Sequence, residues 1–296
     1  MGGWKSRGKG QDEMGIQWIG SKAEFRRITN NLIPVVEPLE ANLKADTPFR
    51  GFCSICNSWE PFTISPATTD WINLRNRVQC NRCGFSGRHR ASYQAMAASP
   101  AWQMGATLVM EAVTNYYDLL SSRFPGIIGT EYLSADLSPG QMGEFGGQMI
   151  RHEDMMNLSF DTGTLDAIYH GDVLEHIPDM VKGLQECYRV LKPGGELIFT
   201  VPFYSEREST LIRAEIIDGK RIDRHPPAYH GNPLSNEGVL VFSEPGLDFL
   251  DLLSSVGNWS AYAGLAHSVL HGYFSDNHPR RISRCFNVVF RCHKNV

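Results

Sequence analysis

The chain has 296 residues, a length that fits one large domain or two smaller ones. Apolar residues make up 42%, charged residues 20% and aromatic residues 10%, which excludes a disordered chain, a collagen-like repeat and a coiled coil. The 28 basic and 32 acidic residues leave a net charge of −4, which argues against a general nucleic-acid binder.

No segment predicts export or insertion into a membrane. The longest apolar runs, such as residues 197–201, are far shorter than the roughly 18 residues that a spanning helix needs. Residues 1–12 are polar and glycine-rich and lack the apolar core of a signal peptide. We therefore expect a cytoplasmic protein without membrane attachment, in a reducing compartment that keeps thiols free.

The pattern of apolar residues divides the chain into dissimilar regions. Residues 21–45 repeat apolar side chains at helical spacing, although Pro34 and Pro38 are expected to break or kink that helix. Residues 51–90 are rich in Cys, Asn, Arg and Gly and show little periodicity. Residues 203–243 are polar and contain several prolines, which is typical of an insertion rather than a core element.

Strands and helices alternate between these two irregular regions. Strands are predicted over 107–111, 131–136, 148–152, 165–170 and 196–201, with helices over 115–124 and 179–191. After the insertion we predict a helix over 246–256 and two last strands over 262–265 and 285–290, which could form an antiparallel edge. The alternation predicts an α/β fold, an open and mostly parallel sheet with helices on both faces.

Four of the seven cysteines form two C-x-x-C pairs, Cys53 with Cys56 and Cys80 with Cys83. The 23 residues between the pairs slightly exceed the usual spacing of roughly 15–20 in zinc sites of this type. We predict one four-cysteine zinc site, which would be structural because four thiolates close the coordination shell. Buried cysteines without a metal, or a redox motif, are the alternatives.

Basic residues surround the second cysteine pair. They could contact an anionic substrate or RNA, but pairing with acidic residues or exposure to solvent is the simpler interpretation, which we favour. These residues are Arg75, Arg77, Arg82, Arg88, His89 and Arg90.

Three motifs carry most of the functional information. They are D-x-x-x-L-S-F from Asp154, D-V-L-E-H-I-P-D from Asp172 and R-V-L-K-P-G-G from Arg189. In this order and spacing, over about residues 105–203, the chain resembles the class I S-adenosylmethionine-dependent methyltransferases. The resemblance implies a Rossmann-like sheet of seven strands. It also implies a cofactor over the carboxyl ends of the strands, where open α/β sheets generally bind their ligands.

The first strand departs from the family pattern. The resemblance assigns Glu111 to the cofactor ammonium group, but residues 112–117 contain no glycine where the family has a glycine-rich turn. Thr114 or Asn115 is expected to cap the following helix and to direct backbone N–H groups at the cofactor carboxylate.

The resemblance also assigns the remaining cofactor contacts. Asp136, followed by Leu137, would close the second strand and accept hydrogen bonds from the two ribose hydroxyls. Asp154 would accept from the adenine amino group, and Met155 would flank the ring. The methionine part is expected against the end of the fourth strand, at His170 and Gly171.

A protonated oxygen or nitrogen acceptor needs a base as well as alignment with the methyl donor. The candidates are His170 and His176 near the sheet edge and His225, Tyr229 and His230 in the insertion. The alternative for the insertion is a surface loop whose histidines only form hydrogen bonds with the backbone. Asp172, Glu175 and His176 could also bind a divalent metal, but this string is common in methyltransferases without one, so we expect no catalytic metal.

The leading hypothesis is a methyltransferase that modifies O, N or C of a small molecule, such as a sugar or natural-product intermediate. The alternatives are an RNA or protein methyltransferase that docks through its zinc module, and a non-catalytic cofactor-binding or zinc-scaffold protein. Nucleic acid is a possible but not favoured partner. The predicted organisation is an N-terminal helical or flexible segment (1–50), a zinc module (51–100) and a methyltransferase domain (101–296) with a lid-like insertion at about 203–243.

Overall fold

A computed structural model describes residues 15–67 and 71–296 of the chain. The first 14 residues, which begin the predicted N-terminal segment, lie outside the described residues. The helices are α1 (Lys22–Ala41), α2 (Leu74–Arg77), α3 (Gly87–Ala97), α4 (Asn115–Arg123), α5 (Met180–Val190) and α6 (Phe249–Ser255).

The strands fall into one large sheet and four small ones. In chain order they are β1 (Ile16–Ile19), β2 (Phe49–Cys53), β3 (Ser58–Ile64), β4 (Val78–Cys80), β5 (Thr107–Val109), β6 (Ile127–Glu131), β7 (Met142–Phe145), β8 (Gln148–His152), β9 (Leu165–Gly171), β10 (Leu191–Thr200), β11 (Leu211–Ile212), β12 (Ala214–Ile217), β13 (Lys220–Asp223), β14 (Tyr229–His230), β15 (Val239–Leu240), β16 (Ser243–Glu244), β17 (Trp259–Ala266) and β18 (Asn287–Lys294).

The large sheet has nine strands in the order β7-β8-β6-β5-β9-β10-β18-β17-β1. The five strands from β8 to β10 run parallel, and antiparallel strands complete both edges. The expected Rossmann-like α/β architecture is therefore present, but the prediction of seven mostly parallel strands is wrong. The two additional strands are β1 and β7, which form from short segments outside the predicted alternation.

The second parallel strand begins earlier than the sequence predicted. We expected it over 131–136, whereas β6 ends at Glu131. The cause lies at Gly126, whose φ is +63° and whose Cβ, if present, would lie 1.4 Å from the carbonyl oxygen of Gly105. Only glycine fits this close turn, so β6 starts immediately after it. Asp136 consequently lies in the loop beyond the strand and does not close it.

The predicted helices of the methyltransferase-like region are confirmed. The Thr114 side chain caps α4 by accepting the N–H of Tyr117, and Asp179 caps α5 by accepting the N–H of Lys182. The prolines do not break the N-terminal helix, because α1 continues through Pro34 and Pro38 to Ala41.

Side chains of the central strands alternate between two cores on the two faces of the sheet. In β9, Ile168 joins the core formed with α1, α5 and α6, while Ala167 and Tyr169 join the core on the opposite face. That second core includes α3, α4 and the cysteine-bearing strands. A period of two residues is what a strand covered on both faces requires. The residues at the carboxyl ends of these strands are thereby fixed in position.

Two regions outside the large sheet, the cysteine-bearing region and the insertion after β10, lie near those carboxyl ends. Strands β2, β3 and β4 form a small antiparallel sheet that carries the cysteines. The residues after β10 form three two-stranded pairings, β11 with β16, β12 with β13 and β14 with β15. Within the described ranges, no helix combines the length and apolar character that crossing a membrane requires.

Candidate functional site

One large cavity, of about 1530 Å³, lies at the carboxyl ends of the parallel strands. Glu111 follows β5, Glu131 ends β6, and Gly171 and Asp172 lie at the end of β9. Residues of the insertion, including His230, line the cavity as well. Ligand cavities in proteins usually measure roughly 300–1,000 Å³, so this one has room for a nucleoside-sized cofactor and a second small molecule.

Glu111 is buried beside the start of α4. The Thr114 hydroxyl lies 3.2 Å from Oε1 of Glu111, and burial raises the pKa of the Glu111 carboxyl to about 8. The absence of a side chain at Gly171 makes this arrangement possible. A Cβ there would lie 2.7 Å from Oε2 of Glu111 and 2.9 Å from Nη1 of Arg88. A carboxylate and a guanidinium therefore meet the cavity at one point, next to the end of β9.

Glu131, and not Asp136, is the acid at the end of the second parallel strand. Its Oε1 accepts the N–H of Tyr132 at 3.2 Å, and its Oε2 has no hydrogen-bond partner among the described residues. Burial raises the pKa of Glu131 to about 7. Asp136 is exposed and does not line the cavity. The apolar residues 127–128 directly after Pro125-Gly126 were the sequence signal that would have identified the strand and its terminal acid.

The other predicted cofactor residues divide between the cavity and other surroundings. Thr114, Asp154, Met155 and Gly171 line the cavity, whereas Asn115 is exposed and Leu137 does not line it. Oδ1 of Asp154 accepts the N–H of Met156 at 2.8 Å, which fixes the turn that presents Met155.

His170 is placed in the core, and the prediction that it faces the cavity is wrong. It is fully buried, and its ring stacks on Phe199 at a centroid distance of 4.8 Å. Burial lowers the pKa of His170 to about 3, so the imidazole is neutral. The cause is the alternation along β9, which turns residue 170 into the same core as Ile168.

A buried ion cluster connects the cysteine-bearing region to the cavity. Arg75 contacts Asp172 with its two terminal guanidinium nitrogens, Nη2 at 3.1 Å and Nη1 at 3.3 Å, and Nε of Arg88 lies 3.4 Å from the same carboxylate. Burial alone would raise the pKa of Asp172, but the two arginines hold it well below its usual range. The expectation that the basic cluster pairs with acids is confirmed for Arg75, Arg88 and Arg82, which pairs with Glu60.

Two of the five candidate catalytic side chains reach the cavity. His176 and His230 line it, with ring centroids 5.1 Å apart, and both approach the buried carboxylate of Glu175. His225 and Tyr229 are exposed on the insertion and do not line the cavity. The insertion thus contributes one imidazole to the site, and the D-V-L-E-H string contributes the other.

The four cysteines of the C-x-x-C pairs converge on one point. Their sulfur atoms all lie within 4.8 Å of one another, with Cys53 to Cys83 at 3.7 Å and Cys56 to Cys80 at 3.9 Å. These separations are far too long for disulfides. Four ligands at Zn–S distances of about 2.3 Å in a tetrahedron would be ~3.8 Å apart, so the cluster has the dimensions of a zinc site.

Comparison with known proteins identifies part of the chain. Residues 119–199 match the family model described as "Methyltransferase domain". The matched region extends from α4 to the end of β10 and includes Glu131, Asp154 and Asp172, which line the cavity.

Relatives match only parts of the chain. A "probable S-adenosylmethionine-dependent methyltransferase" of Mycolicibacterium smegmatis is 27% identical over 117 residues, 39% of this chain and 44% of that protein. A ubiquinone biosynthesis O-methyltransferase of Pseudomonas putida is 31% identical over 103 residues, 34% of this chain and 36% of that protein. The matched region therefore spans less than half the length of these relatives.

Solved structures are similar at lower identity. The crystal structure of an S-adenosylmethionine-dependent methyltransferase from Mesorhizobium loti is 12% identical, with a TM-score of 0.44. The alignment covers 70% of this chain and 97% of that structure.

Proposed function

We propose that the protein is an S-adenosylmethionine-dependent methyltransferase that acts on a small molecule. The observation that carries the proposal is the pair of carboxylates, buried Glu111 and half-buried Glu131, at the carboxyl ends of adjacent parallel strands in a region similar to methyltransferase domains. Both face one cavity, and Oε2 of Glu131 has no partner among the described residues. Two ribose hydroxyls would satisfy such a carboxylate.

Each part of the cofactor finds a complementary group on the cavity wall. Glu131 would accept from the ribose hydroxyls, and Glu111 would face the ammonium group. Arg88, beside Glu111, would pair with the carboxylate and so replace the contacts that a glycine-rich turn normally makes. Asp154 and Met155 would contact the adenine, as the resemblance implies.

The chemistry requires little of the protein beyond placement. The bound cofactor supplies an activated methyl group, so the chain's residues align the acceptor with it and exclude water. The acceptor side of the cavity is formed by His176 and His230, and we assign acceptor binding to this region. The β14–β15 hairpin partly covers this side of the cavity, which favours a small acceptor over a polymer.

We also propose a structural zinc ion held by Cys53, Cys56, Cys80 and Cys83. The sulfur separations support it, and four thiolates leave no open position for substrate. The module they hold carries Arg75 and precedes Arg88, so the zinc would fix both arginines against Asp172. The proposed boundaries remain 1–50, 51–100 and 101–296, with the insertion at about 203–243.

Isothermal titration calorimetry with S-adenosylhomocysteine tests the cofactor assignment. At pH 8 we expect binding by the wild-type chain and at least tenfold weaker binding by Glu131→Gln, with Asp136→Asn as the matched exposed control. No detectable binding by a folded, zinc-replete wild-type sample would refute the proposed function.

A further inference from the structure

One cluster on the cavity wall has the composition of a metal site. A carboxylate oxygen of Glu175 and one ring nitrogen each of His176 and His230 lie within 4.8 Å of one another. The residues come from separate segments, the turn of 3-10 helix at Leu174–His176 and strand β14 of the insertion. The insertion thus brings His230 to an acid–histidine pair that lies 54 positions earlier in the chain.

The carboxylate of Glu175 lacks the partners that its burial requires. Glu175 is 1% exposed, and neither oxygen has a hydrogen-bond partner among the described residues. Nε2 of His176 lies 3.6 Å and Nδ1 of His230 lies 3.5 Å from Oε1 of Glu175. A buried carboxylate is costly unless a cation or hydrogen-bond donors compensate it, and a bound cation would do so.

The surroundings of His176 orient its other nitrogen as a ligand. Its Nδ1 lies 2.8 Å from the carbonyl oxygen of Leu240. Because a carbonyl can only accept, Nδ1 carries the hydrogen, and Nε2 presents its lone pair toward Glu175. Metal-binding histidines commonly donate their second nitrogen to a backbone carbonyl in this way.

We propose that Glu175, His176 and His230 bind one divalent transition-metal cation at the acceptor side of the cavity. Two imidazoles and one carboxylate suit Mn²⁺, Fe²⁺, Co²⁺ or Zn²⁺, whereas Ca²⁺ and Mg²⁺ prefer all-oxygen sites. Three protein ligands leave positions open for an exogenous oxygen. This site is separate from the cysteine cluster, which contains only sulfur ligands.

The cation would also define the acceptor class. Both histidines line the cavity, so the open positions face the space assigned to the acceptor. A divalent cation there would bind a hydroxyl oxygen and make it easier to release its proton to solvent. The oxygen would then take the methyl group from the sulfonium of the cofactor, which leaves as S-adenosylhomocysteine, so the site favours O-methylation of a hydroxyl-bearing small molecule. This role rests on the proposed methyl transfer, whereas the cation site itself does not.

Electron paramagnetic resonance of added Mn²⁺ tests the site on the full chain. Mn²⁺ is suited to oxygen and nitrogen ligands rather than thiolates, so the cysteines do not compete for it. We expect one equivalent of bound Mn²⁺ in the wild type and at least tenfold weaker binding in Glu175→Gln and His230→Ala. His225→Ala, on the exposed part of the same insertion, should bind Mn²⁺ like the wild type.

The outcomes separate this proposal from the methyltransferase assignment. A wild-type chain that binds no Mn²⁺, and no Co²⁺ or Zn²⁺ beyond the equivalent held by the cysteines, would overturn the cation site. So would equal losses in His225→Ala and His230→Ala, with circular dichroism confirming that each variant is folded. Bound Mn²⁺ without S-adenosylhomocysteine binding would refute the proposed function and leave the cation site standing.

Discussion

The assignment of the ribose-binding acid to Glu131 makes a prediction that depends on pH. Burial raises the pKa of Glu131 to about 7, and ribose hydroxyls donate their hydrogen bonds to the ionised form. About one carboxyl in ten is ionised at pH 6 and about nine in ten at pH 8. Cofactor binding should therefore strengthen as the pH rises across this interval, with release of a proton near pH 7.

The expected loss of cofactor affinity follows from the charge of the hydrogen-bond-accepting group at position 131. Replacing the carboxylate with the neutral amide of Glu131→Gln weakens hydrogen bonds to a charged group, which are worth about 1.5–3 kcal/mol, or roughly 10–100-fold in affinity. At pH 6 the wild type must first ionise its acid, at a cost of about 1.4 kcal/mol for a pKa about one unit higher. The ratio of variant to wild-type dissociation constants should therefore be about tenfold smaller at pH 6 than at pH 8.

Calorimetry at both pH values measures this ratio of dissociation constants. Protonation of the ligand affects the variant and the wild type equally, so it cancels in the ratio. Asp136→Asn removes the same charge from an exposed position five residues later and should change neither constant. A ratio that is equal at pH 6 and pH 8 would refute the ionisation argument. An effect of Asp136→Asn as large as that of Glu131→Gln would refute the assignment of the acid.

Three further perturbations test other parts of the site. Gly171→Ala should weaken S-adenosylhomocysteine binding at least tenfold, because the new Cβ displaces Glu111 and Arg88. Gly231→Ala, whose Cβ would meet open space, should bind like the wild type, and equal calorimetric affinities of the two variants would contradict this reasoning. In Asp172→Asn the new asparagine can adopt the φ of 54° at this position, but Arg75 and Arg88 lose the charge that compensates them. The free energy of unfolding measured with urea at pH 7 should therefore fall by about 2–4 kcal/mol, and a loss below about 1 kcal/mol would contradict the argument. Cys83→Ser should lose one equivalent of tightly bound zinc, measured by mass spectrometry, and should melt at a lower temperature than the wild type. Cys187 is a buried thiol outside the cluster, so an equal loss of zinc from Cys187→Ser would argue against a four-cysteine site.

Elements with a strong local pattern could be predicted from the sequence. Strand β9 and helix α5 were found within one residue of their ends, because a continuous apolar strand and a capped amphipathic helix are encoded locally. The start of β6 was missed although Pro125-Gly126 and the apolar residues 127–128 mark it in the sequence, and the close approach of Gly126 to the backbone of Gly105 shows why glycine is needed at that turn. A boundary error of four residues at the start of that strand was enough to move the predicted acid from Glu131 to Asp136.

Contacts between distant segments could not be predicted in the same way. Nothing local to Arg75 indicates that it reaches Asp172, because the contact joins the cysteine-bearing region to the end of β9. The approach of His230 to Glu175 depends on the path of the insertion between them. The sequence offered the correct residue types in both cases, but the pairing is a property of the tertiary structure.

The cysteine-bearing region and the insertion both contact the large sheet at the D-V-L-E-H string. Asp172 faces the arginines of the cysteine-bearing region, and Glu175, three residues later, faces the histidine of the insertion. Both acids follow β9, so a displacement of the cysteine-bearing region or of the insertion would change the charged contacts beside the same cavity. Loss of the proposed zinc ion should therefore weaken cofactor binding, because Arg75 and Arg88 connect the cysteine-bearing region to Asp172. Changes in the insertion should first affect the side of the cavity that His176 and His230 line.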